Sequence, residues 1–570
     1  MTNTTFRPPS GSLDNITMLG INDSVAASEA YTINWTSNES ALPADRVSFA
    51  WKFVNISNHT AGVSIDTLVW RWNQSEVAAG SYNEGNFELW KYNSSTGWTM
   101  LNDTPNLPYN HLSLFSLEPS SDYGILMYNV SGCQEIDTPG AYQLFNNAIG
   151  ATIDASEVDF IDWTCIKITS SDVLFDCNGY NVTNDGTLEA AGIVINGSAI
   201  MNYTNVTVRN CPNVSSYEFG AYMFYSSNDT FDNITTVNNT DSGIILRYNN
   251  DSSVIDSFAY NNSQYGIVAQ LSSFNNMTNN TVYLNDGSGF SLNLSQYMNL
   301  TDNVAYFNTK SGITMLGTNH SMLTNNTFYN NSVHGFHLSN VSHNNTINDS
   351  RVFNNTQSGL YIQNSSMVDM QLLSTIDNGQ HGLYLLNATD IILNVSTVFL
   401  NTQYGVYLSD ADTSNFTDNN ITNNMVNGVR FDAEASTNNL TANYICFNGF
   451  DVLGNSSSSN IGALDNCDSF LNWSENGHKG CEYTCSEMWH RFYGNATGTI
   501  NLTDASATNN VFSWPATGYN IYFTDYDSNI NWSGLQAIGR NTTDENSSND
   551  FLELDIAFET QSFFDNINKY

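Results

Sequence analysis

The chain reads as all-β: a right-handed parallel β-helix solenoid flanked by an N-terminal β-sandwich and a C-terminal β-rich module. Three observations predict the solenoid. Ten glycines (Gly220, Gly243, Gly266, Gly289, Gly312, Gly335, Gly359, Gly382, Gly405 and Gly428) stand 23 residues apart, with one step of 24. Such a period belongs to coils that must stack to bury their apolar side. With each glycine as position 1, positions 2 and 4 are apolar, as in Ile313/Met315, Leu383/Leu385 and Val429/Phe431, so a short strand turns both inward and position 3 outward. Asparagine recurs at position 20, through Asn239, Asn262, Asn285, Asn308, Asn331, Asn355, Asn378, Asn401 and Asn424, which predicts a ladder of stacked amides at one bend.

The elements follow in order. Residues 1–128 lack the 23-residue beat and alternate in segments such as Val47–Val54 and Asp66–Trp72 between Asn/Gly/Ser turns, which predicts a small antiparallel β-sandwich. Residues 129–490 form the parallel β-helix with disulfide-rich ends, about three short strands to a coil. An aromatic or aliphatic residue near position 18 (Tyr260, Tyr283, Tyr306, Tyr329, Phe353, Ile376, Phe399) is expected as a second inward stripe. A partial second ladder is expected through Asn233, Asp256, Asn279, Asp302, Asn325 and Asn348. Residues 491–570 form the C-terminal β-rich module. A leucine-rich repeat is set aside, because its leucine-asparagine signature and helical half are missing.

The net charge of −40 arises from 55 acidic residues against only 15 Lys and Arg. Scarce bases exclude nucleic acid and anionic membrane as partners, and no apolar stretch reaches transmembrane length. The first residues lack a signal-peptide core, so the expectation is a chain without its export signal or a fragment of a longer protein.

The 85 asparagines form about 45 Asn-x-Ser/Thr sequons, against roughly twenty from chance, which marks an exported, N-glycosylated chain. The acceptors singled out are Asn34, Asn55, Asn129, Asn205, Asn238, Asn261, Asn293, Asn330, Asn340, Asn354, Asn394, Asn472 and Asn501. A turn preference for Asn, Ser and Thr is the competing account. Asn238, Asn261, Asn330 and Asn354 each precede a ladder asparagine, and alternation turns them outward. Asn279 and Asn325, placed in the second ladder, are expected to be less accessible.

Eight cysteines fall in two groups, Cys133, Cys165, Cys177 and Cys211 at the solenoid entrance and Cys446, Cys467, Cys481 and Cys485 at its exit. They are read as disulfides that staple the terminal coils, with pairing open and zinc as the alternative.

The order Cys133–Tyr142, Cys165–Ile168, Val173–Tyr180 and Gly192–Ile195 resembles the opening coils of the right-handed parallel β-helix repeat family. Its exit, Tyr444–Asn448 through Gly480–Cys485, resembles the cysteine-rich end of archaeal cell-surface members, S-layer or filament glycoproteins. Leu89–Trp98, Ser121–Leu126, Gly494–Ile500 and Trp532–Gly539 are similar to the β-modules around such solenoids. The resemblance implies fold and surface location; members of this kind include lyases, epimerases, adhesins and wall components, so activity does not follow from it.

A lyase or epimerase needs a base beside carboxylates. Between Gly220 and Asn448 the Lys and Arg are Arg247, Lys310, Arg351 and Arg430, on separated coils. Asp410, Asp412, Asp432 and Glu434 fall on two adjacent coils, a solvated acidic rim or a calcium site. His337, Tyr361, Tyr384, Tyr407 and Arg430 form an outward column at position 3; it is either a strip on which sugar rings stack or a stack that stabilises the sheet. His320 and His343 share position 9 and could pair on a transition metal.

The leading expectation is a non-enzymatic, heavily N-glycosylated extracellular protein. It would assemble with itself or other surface proteins into a surface layer, sheath, hook or filament. It would require no cofactor, with calcium as the candidate ion and N-linked glycans as covalent groups. The alternative is a polysaccharide lyase or epimerase, or a glycan-binding module, on a β-helix.

Overall fold

In the computed structural model the described residues are 2–6, 17–24, 30–36, 42–43, 46–59, 64–79, 82, 84–119, 121–130, 132–455, 459–475, 478–485, 510–514 and 519–523. The C-terminal β-rich module expected at 491–570 lies outside them, apart from the antiparallel pair Asn510–Trp514 and Tyr519–Phe523. The chain is nearly all-β, its repeat region a parallel β-solenoid, and it divides into the units Met1–Val304 and Ala305–Tyr570.

Unit 1 opens with two antiparallel sheets. One holds Thr2–Phe6, Thr17–Asp23, Ile65–Trp72 and His111–Leu117; the other holds Tyr31–Thr36, Arg46–Asn58, Ser121–Val130, Glu88–Asn93 and Gly97–Asn102. Alternation turns one face of each sheet inward, so Leu19, Leu68 and Trp70 meet Phe49, Val54 and Ile125 in one apolar core. The strand Ser121–Val130 then pairs in parallel with Gly140–Leu144 and passes into the coils.

A coil has a four-residue strand directly after its glycine and two strands of three. Ile267–Gln270, Asn276–Thr278 and Thr281–Tyr283 show this in unit 1, and Leu383–Leu386, Ile392–Asn394 and Thr397–Phe399 in unit 2. Each pairs in parallel with its counterpart one coil on. Residues at positions 2 and 4, such as Ile267 and Ala269 or Leu383 and Leu385, are fully buried. The corners are left-handed residues, four in each of these two coils: Leu271, Phe274, Asn279 and Leu284, and Asn387, Asp390, Val395 and Leu400.

The repeating glycine is a packing requirement. A Cβ on Gly335 would sit 2.8 Å from the carbonyl oxygen of Gly359 and inside Val352. The first asparagine ladder stands as expected. In unit 1, Nδ2 of Asn239 donates to Oδ1 of Asn262, and Asn262 to Asn285, each at 2.9 Å. In unit 2 the same bond runs from Asn308 through Asn331, Asn355, Asn378, Asn401 and Asn424 to Asn448 at 2.9–3.1 Å. It closes on the carboxylate of Asp451. A second column, Asn419 to Asn443 to Asp465, also closes on a carboxylate.

Two expectations are corrected. The position-18 residues are half-exposed, not inward; Tyr260 stacks on Tyr283 at 4.8 Å, and Tyr306 on Tyr329 at 5.0 Å, along the outside. The inward residue is the one before, Ala259, Val282, Phe328 or Val352. The left-handed corner between strand and ladder resets the alternation, so parity cannot be counted back from the asparagine. The second ladder is likewise one residue later: Asn233, Asp256, Asn279, Asp302 and Asn325 are left-handed corners, whereas Asn280, Asn303 and Asn326 are buried.

The cysteines pair as Cys133–Cys165 and Cys177–Cys211 in unit 1, and as Cys446–Cys485 and Cys467–Cys481 in unit 2. None is free, which removes the zinc alternative for these eight residues.

Candidate functional site

The position-3 column is assembled in unit 2 by the strands Phe336–Ser339, Leu360–Gln363, Leu383–Leu386, Tyr404–Ser409 and Asn427–Phe431. Their inner residues, from Phe336 and Leu338 to Val429 and Phe431, are buried, so the residue between each pair must face outward. The register sets His337 beside Tyr361, then Tyr384, Tyr407 and Arg430. Ring centroids are 5.3, 5.1 and 4.9 Å apart along it, and the Arg430 guanidinium lies 5.5 Å from the Tyr407 ring. All five predicted strip residues therefore form one continuous surface.

A second row went unpredicted. His334, His381 and Tyr404 directly precede repeat glycines and lie against the column. His334 stacks on Tyr361 at 4.9 Å, and His381 on Tyr404 at 4.9 Å. Arg430 donates to the Tyr404 hydroxyl and its guanidinium lies 5.0 Å from that ring. The signal was present as His or Tyr before glycine, but serine fills this position in other coils, so no period marks it.

His334 and His381 are 7% and 5% exposed. Burial pushes the His334 imidazole down to about 3, with His337 adding to the shift. Burial, then Arg430, pushes His381 down to about 4; burial also lowers His337. All three are neutral at pH 7. Nε2 of His337, Nδ1 of His381 and Oγ of Ser358 are buried without a hydrogen-bond partner, whereas Nδ1 of His334 accepts from the backbone of Ser358. The column is thus a run of neutral rings stacked on one another from coil to coil, with Arg430 at one end. Sugar C–H groups pack on aromatic surfaces of this kind while sugar hydroxyls bond to polar groups at their rim.

In unit 1 the outward face of the same kind of sheet is covered. Val158 and Ile161 pack onto Val194, Tyr222 and Ile245, beside a cleft of about 520 Å³ that includes Glu157, Asp159, Asp162, Glu189 and Glu218. Sequence reasoning missed this cleft. Burial, then Asp241 and Glu189, raises Glu218.

A family described as periplasmic copper-binding protein (NosD) matches residues 177–349 and 338–528, more than half of the chain. The chain belongs to the NosD family. No curated protein matches it. Among solved structures, this NosD-family chain is similar to the A-module of a mannuronan C-5 epimerase from Azotobacter vinelandii, at 15% identity and TM-score 0.38 over 60% of this chain and 92% of that one. It is similar to tailspike protein 3 of bacteriophage CBA120, at 13% identity and TM-score 0.36 over 68% and 62%. It is also similar to DFA-IIIase from Arthrobacter chlorophenolicus, at 10% identity and TM-score 0.31 over 55% and 82%. At these scores the likeness says nothing about activity.

The copper named in the family description does not fit the described residues of this NosD member. All eight cysteines are oxidised, and no three His, Cys, Asp or Glu side chains converge as metal ligands among the described residues. His320 and His343 are linked through their backbones, and Nδ1 of His343 is engaged by Ser366. In the acidic patch, Asp432 accepts from the Ser409 hydroxyl and the amides of Asp410, Glu434 and Ala435. Asp412 accepts from Ser436. These carboxylates hold two turns.

Of the sequon residues, Asn34, Asn205, Asn238, Asn261, Asn340, Asn354 and Asn472 are exposed, and Asn55, Asn293, Asn330 and Asn394 are half-buried. The side chain of Asn129 and the whole of Asn501 lie outside the described residues.

Proposed function

We propose that this NosD-family chain is a carbohydrate-acting β-helix of an exported compartment that holds a neutral polysaccharide along the aromatic surface of unit 2. The observation that carries the reading is the continuous row His337–Tyr361–Tyr384–Tyr407–Arg430, thickened by His334, His381 and Tyr404. A row of rings continued from coil to coil along one outer sheet matches a linear chain of sugar rings better than a compact ligand. The net charge of −40 repels a uronate polymer and favours an uncharged one. Four disulfides with no free cysteine support an oxidising compartment. This reading takes precedence over surface-layer assembly because the aromatic surface is a departure from the repeat that assembly does not require.

The test is affinity electrophoresis and calorimetry against neutral and uronate polysaccharides. Tyr384→Ala should weaken binding to the neutral ligand about three- to tenfold, the worth of one stacked ring. Equal affinity of wild type and Tyr384→Ala, or binding to uronate polymers alone, would overturn the reading.

Acid–base chemistry on the bound sugar is a second reading, favoured by the Tyr404 hydroxyl beside Arg430. It requires that Tyr404→Phe keep binding and lose turnover.

A further inference from the structure

The left-handed corners offer an internal control on the sequons. We propose that the asparagines occupying these corners are N-glycosylated, so that the coils carry rows of glycans at their bends. Among the described residues 18 asparagines have a left-handed backbone, and all but Asn110, Asn178, Asn210 and Asn423 are followed two positions on by Ser or Thr.

The fold alone does not ask for that hydroxyl. Thirty-two other non-glycine residues among those described share the same backbone conformation, and Ser or Thr follows two positions on at seven of them: Tyr225, Asp251, Leu271, Phe307, Leu372, Val395 and Leu400. Aspartate is the sharpest comparison. It is nearly isosteric with asparagine, tolerates the same corner and bonds the same backbone amides. Among the described residues nine aspartates stand at left-handed positions, and of these Asp251 alone is followed in this way. A hydroxyl that tracks asparagine and ignores aspartate serves the acceptor chemistry of Asn-x-Ser/Thr, because a carboxylate cannot receive the sugar.

Accessibility agrees. Of the fourteen corner sequons Asn330 is half-buried and the others are exposed, including Asn279 and Asn325, which the sequence placed in the ladder. The interior asparagines of the ladder follow the opposite rule: Asn262, Asn331, Asn355 and Asn401 are buried and none begins a sequon.

The reaction joins Nδ2 of asparagine to C1 of a sugar activated on a polyprenyl phosphate or pyrophosphate. The C1–O bond to phosphate breaks, the lipid phosphate leaves, and the amide gives up one proton to a base of the transferase. No oxidant or reductant enters.

Protein purified from its native source, digested with a protease that does not require Lys or Arg, is mapped by glycopeptide mass spectrometry. Glycan mass is expected at Asn238, Asn340, Asn354 and Asn387, and not at the left-handed non-sequon residues Asn110, Asn178, Asn210 and Asn423. Unmodified peptides at the first four would overturn the proposal. Thr356→Ala, expressed in the same host, leaves the Asn354 corner intact; it should lose one glycan mass with an unchanged melting temperature. An unchanged intact mass would refute the site. The outcome is independent of polysaccharide binding by the aromatic surface.

Discussion

Asn378→Ala removes one rung of the ladder, and its cost follows from the bonds at that rung. Asn378 is fully buried. Its Oδ1 accepts from the backbone N–H and the Nδ2 of Asn355, both at 3.1 Å. Its Nδ2 donates to Oδ1 of Asn401 at 2.9 Å. Alanine leaves the neighbours unequally provided for. Nδ2 of Asn355 keeps the carbonyls of Phe328 and Phe353, and Oδ1 of Asn401 keeps the backbone N–H of residue 378. The Asn355 backbone N–H is orphaned. One buried unsatisfied amide costs about 1–3 kcal/mol, and each lost bond about 1 kcal/mol more, so the coil should weaken by about 3 kcal/mol. A chain of this size is not two-state, so the assay is hydrogen exchange at the Asn355 amide under conditions where exchange reports local opening. It should quicken on the order of a hundredfold. Asn378→Ser should recover part of the loss, because Ser350 and Ser396 already accept the equivalent backbone N–H in the second column. Exchange in Asn378→Ala within about threefold of wild type would refute the ladder as a source of stability.

Acidification is expected to loosen unit 2. His334 and His381 are held at about 3 and about 4, below the ordinary 6.5 of an unfolded imidazole, so the unfolded chain takes up protons first as pH falls. Their stabilising share is complete above pH 6.5 and declines toward pH 4, by about 3 kcal/mol for each histidine. His381→Phe should therefore show a flatter melting temperature between pH 7 and 4 than wild type, and identical slopes would count against it. Opening Cys177–Cys211 with paired serine substitutions releases a closure of 34 residues, worth about 3–4 kcal/mol; an unaltered melting temperature would oppose this, and non-reducing peptide mapping checks all four pairings.

The solenoid was legible because its demands repeat. Gly335 is glycine for the same carbonyl contact as Gly359, and Asn355 is asparagine for the same bond as Asn378, so each coil restates the rule. The phase errors had one cause. A left-handed corner such as Asn279 or Leu284 consumes a residue without alternating; asparagine favours that conformation but also fills the buried ladder, and leucine gives no sign of it. The outward column from His337 to Arg430 was readable at fixed spacing. Its second row was not, since His334, Ser358 and His381 occupy one position with unlike chemistry, and only packing shows that two of the three join the rings. The cysteine groups were legible as disulfides, whereas pairing depended on which strands lie in register.

The ladder also has a direction. Every amide passes its N–H toward the C-terminal side and receives one from the side before, from Asn308 to Asn448. Such a row resembles a sentence written in one grammatical order, and a group able to receive but unable to pass a proton ends it. Asp451 is such a group, and it stands where the first column stops. Side-chain chemistry therefore writes a full stop into that column, and asparagine in place of Asp451 would leave the clause open for another coil.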